Sequence, residues 1–204
     1  MKEPGVGDAS PETNFPFSAD SPFRFCPADG TKLDPPRPSG GSTCPLCGRS
    51  WYRNPAPAVG AAIVEDEKAL VTIRAREPYK GKIDVPGGFL ELGEHPVDGL
   101  KREVMEELDV EVEVLWPPVM FAPHTYGDDG VHALAIGFRA RIMSGEPSPT
   151  DDVAAIRWIS SKEVDSLDFA WNHDRELIRN ALRESTKGKT PIPCYSRTRQ
   201  PPSP

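Results

Sequence analysis

Apolar residues recur along the chain with two periods, and the alternation between them marks out strands and helices. Ala58-Val59-Gly60-Ala61-Ala62-Ile63-Val64 and Ala69-Leu70-Val71-Thr72-Ile73 are short apolar runs rich in β-branched residues, separated by the polar Glu65-Asp66-Glu67-Lys68. The pair is expected to fold as a β-hairpin. Further strands are predicted at Val110–Leu115, Val131–Ile142 and Ala155–Ser160. From Pro96 the spacing becomes helical. Proline suits the first helical position because its missing N–H would go unpaired there anyway, and Asp98 adds favourable negative charge to the first turn. A second helix is predicted to begin with Asn172 as N-cap and to bury Leu177, Ile178, Ala181 and Leu182. Strands with helices on either side predict an α/β sandwich. Gly99, inside the first helix, costs about 1 kcal/mol relative to Ala; close approach of the helix backbone to the sheet is the expected reason.

The two ends break this pattern. Residues 1–22 are rich in Pro, Ser, Gly and acidic residues, and residues 186–204 in Pro, Lys, Arg, Ser and Thr; both are expected to be disordered tails. The chain has 204 residues, a net charge of −7 and 37% hydrophobic residues, enough for one sizeable core and a small satellite. No apolar run reaches the roughly 18 residues of a membrane span, and no secretion signal is evident at the N-terminus. A cytoplasmic protein is expected, with no membrane partner. The acidic balance and the lack of a long basic run argue against nucleic acid as a partner. Four cysteines are too few for a disulfide framework, and three of them stand at metal-like spacing. Cys194, in the C-terminal tail, reads as a free thiol.

The first helix carries an unusual load. Glu103, Glu106 and Glu107 stand at i, i+3 and i+4, so their carboxylates share one face. They crowd the last turn, where the macrodipole is negative and each such charge costs roughly 0.3–1 kcal/mol. A stability-optimised helix would carry lysines there. A solvated acidic face neutralised by Lys101 and Arg102 would explain one such pair; the whole constellation asks for a cation. Carboxylates without His or Cys suit hard, oxygen-loving ions such as Mg²⁺ or Mn²⁺.

Gly88, five residues, Glu94, seven residues, then Arg102-Glu103-Val104-Met105-Glu106-Glu107-Leu108-Asp109-Val110 resembles the signature of the Nudix hydrolases. One position departs: Asp109 replaces the glycine that ends the helix, where a left-handed backbone is expected and which Asp tolerates better than most residues. The resemblance implies an α/β/α sandwich around a mixed sheet and Mg²⁺- or Mn²⁺-dependent cleavage of a pyrophosphate bond. The substrate would be a nucleoside diphosphate linked to another group X, giving a nucleoside monophosphate and phospho-X; ADP-ribose-like or dinucleotide substrates fit that form. It further implies that Glu103, Glu106 and Glu107 are the metal ligands, that Arg102 orients them through charge-assisted hydrogen bonds, and that Glu94 assists the same catalytic site. The general base is open between Glu106 or Glu107 and Asp151 or Asp152, the latter pair reading most simply as a solvated turn. Arg74, Arg76, Lys80 and Lys82 precede Pro86-Gly87-Gly88 and are candidate phosphate contacts, Arg74 and Arg76 foremost, with Gly87 and Gly88 beside them.

Ahead of this domain stand Cys26-Pro27-Ala28-Asp29-Gly30 and Cys44-Pro45-Leu46-Cys47-Gly48. Two such knuckles build a zinc ribbon, and Asp29 takes the place of a fourth cysteine. Cys26, Asp29, Cys44 and Cys47 could hold a structural Zn²⁺; the competing reading is a vestigial ribbon held by packing of Phe25, Leu33 and Trp51. A ribbon over 23–53 joined to a Nudix domain over 54–185 is similar to the NADH diphosphatase group and its relatives. That group carries a Ser-Gln-Pro-Trp run where this chain has Phe121-Ala122-Pro123-His124-Thr125-Tyr126-Gly127, which puts NADH in doubt; Tyr126 and His124 are candidates for a base or ribose pocket. The expected partner is a small-molecule nucleotide substrate, with a homodimer left open. The alternative function is a non-catalytic nucleotide-sensing module whose ribbon contacts a partner; such a module would be expected to lack the catalytic glutamates, which are all present.

Overall fold

The computed structural model describes residues 23–35, 41–52, 54–127 and 131–185. The tails expected at 1–22 and 186–204, and Cys194 with them, lie outside the described residues. The chain divides between Asn54 and Pro55 into two compact units.

In the N-terminal unit, β1 (Gly41–Thr43) pairs antiparallel with β2 (Ser50–Tyr52), and a single bridge joins Phe25 to Lys32. The two knuckles share one backbone design. Cys26 N donates to Thr31 O and Gly30 N to Cys26 O, while Cys44 N donates to Arg49 O and Gly48 N to Cys44 O. Gly30 and Gly48 adopt φ of 76° and 71°, the left-handed turn glycine accommodates without a Cβ clash. Cys26, Leu33 and Cys44 form a small buried cluster that Phe23 and Trp51 cover. Phe25 instead points to solvent, 60% exposed, which corrects the expected packing: at the Phe25–Lys32 bridge the alternation that turns Cys26 inward turns its neighbour Phe25 outward.

The C-terminal unit is built on a seven-stranded mixed sheet. Its central path runs β5 (Ile83–Asp84), β4 (Lys68–Arg74), β3 (Ala56–Glu65), β8 (Val131–Ser144) and β7 (Glu111–Tyr126), with β6 (Gly87–Phe89) paired to β3 and β9 (Val153–Ser160) to β4. The expected hairpin is present as β3 and β4, in register at Ile63↔Leu70. Strand alternation decides which helix each residue meets. Ala61, Ile63 and Leu70 join the core under α1 (Pro96–Leu108) with Leu100, Val104 and Leu108. Ala62, Ala69 and Val71 face α2 (Asn172–Ser185) and its Leu177, Ile178, Ala181 and Leu182. The result is the expected α/β/α sandwich, and each fully buried Leu or Ile in it contributes about 1.5–3 kcal/mol.

Helix α1 begins at Pro96 as predicted, with His95 as its cap: the imidazole Nδ1 accepts from Val97 N at 3.3 Å. It ends at Asp109, whose left-handed φ of 55° is the conformation expected of the residue replacing glycine. Gly99 has a different cause from the one expected. A Cβ there would lie 2.4 Å from Leu90 Cδ2 and 2.7 Å from Glu94 Oε2, so the helix makes room for side chains of the preceding loop and not for the sheet. Strand β7 runs well past Leu115, its predicted end. Pro117 and Pro118 break the ladder between Leu115 and Met120, yet β7 lies at the sheet edge, where a missing donor is tolerated.

Candidate active site

Strand β6 and helix α1 bring the signature carboxylates onto backbone. Gly87 N donates to Glu107 Oε2 at 2.9 Å. A Cβ on Gly87 would fall 2.1 Å from Val59 O, and one on Gly88 would fall 2.5 Å from the Glu103 carboxyl carbon. Two glycines are therefore needed to let β6 press against β3 on one side and to let the carboxylates lie on the strand on the other. Arg102 fixes the rest. Its Nε and Nη2 donate to the two oxygens of Glu94 at 2.9 and 3.0 Å, its Nη1 to Glu103 Oε1 at 2.9 Å and Glu106 Oε2 at 3.0 Å, and Nη2 also to Phe89 O at 3.2 Å. Five N–H groups thus meet five acceptors. Glu94 also accepts from Glu91 N at 2.9 Å, and Arg102 with that N–H holds its carboxyl down at about 2.

The three helix glutamates differ in surroundings. Glu107 is buried and Glu106 is half exposed, with Glu103 between them. Burial pushes the Glu107 carboxyl well above its usual value, outweighing the Gly87 N–H, and the charges of Asp152, Asp84 and Glu103 push the same way. Glu103 is also raised, first by burial and then by Glu106 and Asp152 against the pull of Arg102. An all-oxygen, anion-crowded wall of this kind suits a hard divalent cation.

The loop with Asp151 and Asp152 is no free-standing turn. Ser148 N donates to Leu108 O at 3.0 Å and Thr150 N to Glu107 O at 2.9 Å, and Thr150 Oγ1 donates to Glu106 O. These bonds satisfy carbonyls that the end of α1 leaves open and pin the loop to the glutamate helix. Asp151 and Asp152 consequently line the same cavity as Glu103 and Glu107, a chamber of about 320 Å³ that includes Gly87, Gly88, Arg74 and Tyr126. Arg76 does not line it; it pairs with Asp151 at 3.3 Å on the exposed side. Lys82 pairs with Asp168 at 3.4 Å, and neither it nor Lys80 reaches the chamber lining.

The chamber is also lined by residues that the sequence pattern does not mark as a site: Asp84, Phe89, Trp171, His173 and Asp174. Two signals were available. Asp84 interrupts the apolar Ile83–Val85 just before Pro86, and Asp174 sits three and four residues before Leu177 and Ile178, on the apolar stripe of α2. His124, which was singled out, lies beside His173 with ring centroids 4.5 Å apart. Burial lowers both imidazoles, His173 to about 4 with a further push from His124, so they are neutral at pH 7.

In the N-terminal unit, Cys26, Asp29, Cys44 and Cys47 bring one ligand atom each to within 4.8 Å of one another. Asp29 occupies in its knuckle the place Cys47 occupies in the other. Its Oδ1 accepts from Thr31 N at 2.9 Å, and its Oδ2 lies 3.5 Å from Cys44 Sγ. Against the lowering by the Arg49 backbone N–H, burial, Asp29 and the two other thiols push Cys47 up to about 11.

Fold and signature site together define a Nudix enzyme. Residues 54–181 match the NUDIX domain, and the chain belongs to the Nudix family. It is 30% identical to an ADP-ribose pyrophosphatase of Methanocaldococcus jannaschii over 65% of this chain and 76% of that protein. Over 83% of this chain it is 28% identical to the NAD-capped RNA hydrolase NudC of Pseudomonas aeruginosa, of which the match spans 59%. Among solved structures it resembles a NUDIX hydrolase from Nitrosomonas europaea, with a TM-score of 0.67, 26% identity, and coverage of 83% of this chain and 96% of that one.

Proposed function

We propose that the protein hydrolyses the pyrophosphate bond of a nucleoside diphosphate linked to a second group, in the presence of Mg²⁺ or Mn²⁺. The observation that carries this reading is the convergence of Glu103, Glu107 and Asp152, close enough for their charges to act on one another, in a single chamber that aromatic side chains also line. Glu103 and Glu107, with Glu106 at the rim, would hold the divalent cation, and Arg102 and Glu94 keep those carboxylates in place. When bound, such an ion neutralises charge developing on the diphosphate and activates water. Asp152, held beside Glu103 and Glu107 by the pinned loop, is the acceptor for the proton of the attacking water. The ADP-ribose pyrophosphatase and NAD-capped RNA hydrolase among the relatives favour adenine-containing dinucleotide-like substrates.

The cysteine cluster is read as a structural zinc site with ligands Cys26, Asp29, Cys44 and Cys47. The duplicated knuckle geometry supports this, because Asp29 aims at the same point as the thiols. Four protein ligands leave no position for substrate, as befits a structural site.

A panel of ADP-ribose, NADH, NAD, nucleotide sugars, dinucleoside polyphosphates and nucleoside triphosphates, with products identified chromatographically, tests the reaction. Release of a nucleoside monophosphate from at least one diphosphate-linked member is expected. No turnover of any member with either metal would contradict the reading.

A further inference from the structure

The three knuckle cysteines stand in different surroundings. Cys26 and Cys44 each open a knuckle and are buried, at 2% and 1% exposure, whereas Cys47, which closes the second knuckle, is exposed. Cys44 is occupied within the cluster: its Sγ lies 3.5 Å from Asp29 Oδ2 and accepts from Cys47 N at 3.4 Å. The Cys47 sulfur faces the other knuckle and lies 3.8 Å from Cys26 Sγ. An accessible thiol beside a second, shielded one is the arrangement in which the first is oxidised and the second resolves it.

The separation of Cys26 and Cys47 also fits the proposed zinc site, since two sulfurs at about 2.3 Å from one tetrahedral zinc stand about 3.8 Å apart. A disulfide needs the same sulfurs at about 2.05 Å. Zinc binding and disulfide formation by this pair therefore exclude one another. Asp29 sharpens the choice in two ways. It bars Cys26 from pairing inside its own knuckle, because a carboxylate cannot form a disulfide. And once Cys26 and Cys47 are joined, the cluster of four keeps only Cys44 and Asp29 as ligands, short of the four that a structural zinc requires.

We infer that Cys47 is a site of oxidation by hydroperoxides, that Cys26 is its resolving thiol, and that the disulfide they form displaces the zinc. The Cys47 thiolate attacks a peroxide oxygen: an S–O bond forms, the O–O bond breaks and the far oxygen leaves as hydroxide. The Cys26 thiolate then attacks the Cys47 sulfur, so that an S–S bond forms, the S–O bond breaks and a second hydroxide leaves. The sulfurs together give up two electrons, hydrogen peroxide accepts them, and protons from solvent turn both hydroxides into water. The new bond joins the two knuckles and takes over the cross-link that the ion supplied. Zinc displacement rests on the proposed ribbon site, but the pairing of the thiols can be read without it.

The test begins with the full chain, its zinc content measured by elemental analysis, treated with a small excess of hydrogen peroxide beside a chromophoric zinc chelator. Mass spectrometry of a non-reducing digest then assigns the disulfide. Peptides cross-linked through Cys26 and Cys47 are expected, with zinc released in step with their formation and the thiols recovered by dithiothreitol. Cys47→Asp repeats in the second knuckle the ligand present in the first, so it should still bind zinc and should release it to peroxide about tenfold or more slowly. The oxidised protein should melt above reduced protein stripped of zinc, because the disulfide closes the loop between the knuckles. Zinc and free thiols that both persist in peroxide overturn the assignment, as does a disulfide from Cys47 to Cys44 or Cys194 in its place. So does a zinc-loaded Cys47→Asp variant that loses its ion as fast as the wild type. A chain that holds no zinc yet forms the Cys26–Cys47 bond would sink the proposed zinc site and leave the oxidation site standing; one that does neither overturns both.

Discussion

Glu107 and Asp152 both line the chamber but stand in different settings, and substitution should separate them. Glu107 is buried with one oxygen on Gly87 N, so Glu107→Gln keeps the size and an acceptor and removes the charge needed for the cation. Its activity should fall by about a hundredfold or more with weakened metal affinity. Asp152→Asn should lower kcat by about a hundredfold or more while leaving the metal concentration at half-maximal activity unchanged, as loss of a proton acceptor requires. Equal shifts of metal affinity in both variants would make Asp152 a ligand. The signature made Glu107 legible, since its spacing relative to Glu103 is a property of one helix. Asp152 stands in the sequence as only one of four candidates for the base, in a loop that reads most simply as a solvated turn, because its position depends on Ser148 and Thr150 binding the carbonyls of Leu108, Glu107 and Glu106, contacts that span about forty residues of sequence and leave no local trace. Asp84 and Asp174 escaped for a related reason. Each is a single charged residue in an apolar pattern, and only the fold shows that the two interruptions meet.

Elements with a strong period were read well. Strands β3, β4, β8 and β9 and helices α1 and α2 came out at or near their observed ranges because one face of each is buried and the alternation is regular. Strands β1, β2, β5 and β6 have two or three residues each, too few for a period, and exist through pairing with partners elsewhere. The end of β7 was missed because prolines stop a strand only where the ladder needs their N–H. At this scale the Arg102–Glu94 pair links helix α1 to the loop before it, and its stabilising effect has a defined pH window. The folded carboxyl at about 2 lies below its ordinary value of 4.5. The pair's contribution is therefore fully present above about pH 4.5 and is lost as pH falls towards 2. Thermal melts of metal-free protein should show this loss, and Glu94→Gln should flatten that part of the profile. An unchanged acid limb in the variant would show that the pair does not set this loss.

For the molecule as a whole, two metals with separate duties are expected. Chelation of zinc, or Cys44→Ser, should lower the melting temperature by removing a four-ligand cross-link from a unit whose buried cluster is only Cys26, Leu33 and Cys44 with Phe23 and Trp51 over it. It should leave the Mg²⁺ requirement for hydrolysis as it was. Protein that contains no zinc by elemental analysis and melts at an unchanged temperature would instead make the ribbon a packed remnant. No helix among the described residues is long and apolar enough to cross a membrane. Initial-rate hydrolysis of the best panel substrate across a Mg²⁺ titration that begins in EDTA tests whether the glutamate cluster works through a divalent cation. Hydrolysis through a divalent cation gives no measurable turnover in EDTA, saturable recovery with Mg²⁺ or Mn²⁺, and no recovery in Glu107→Gln at the concentration that saturates the wild type. Full activity in EDTA, or a Glu107→Gln enzyme as active as the wild type, would contradict it.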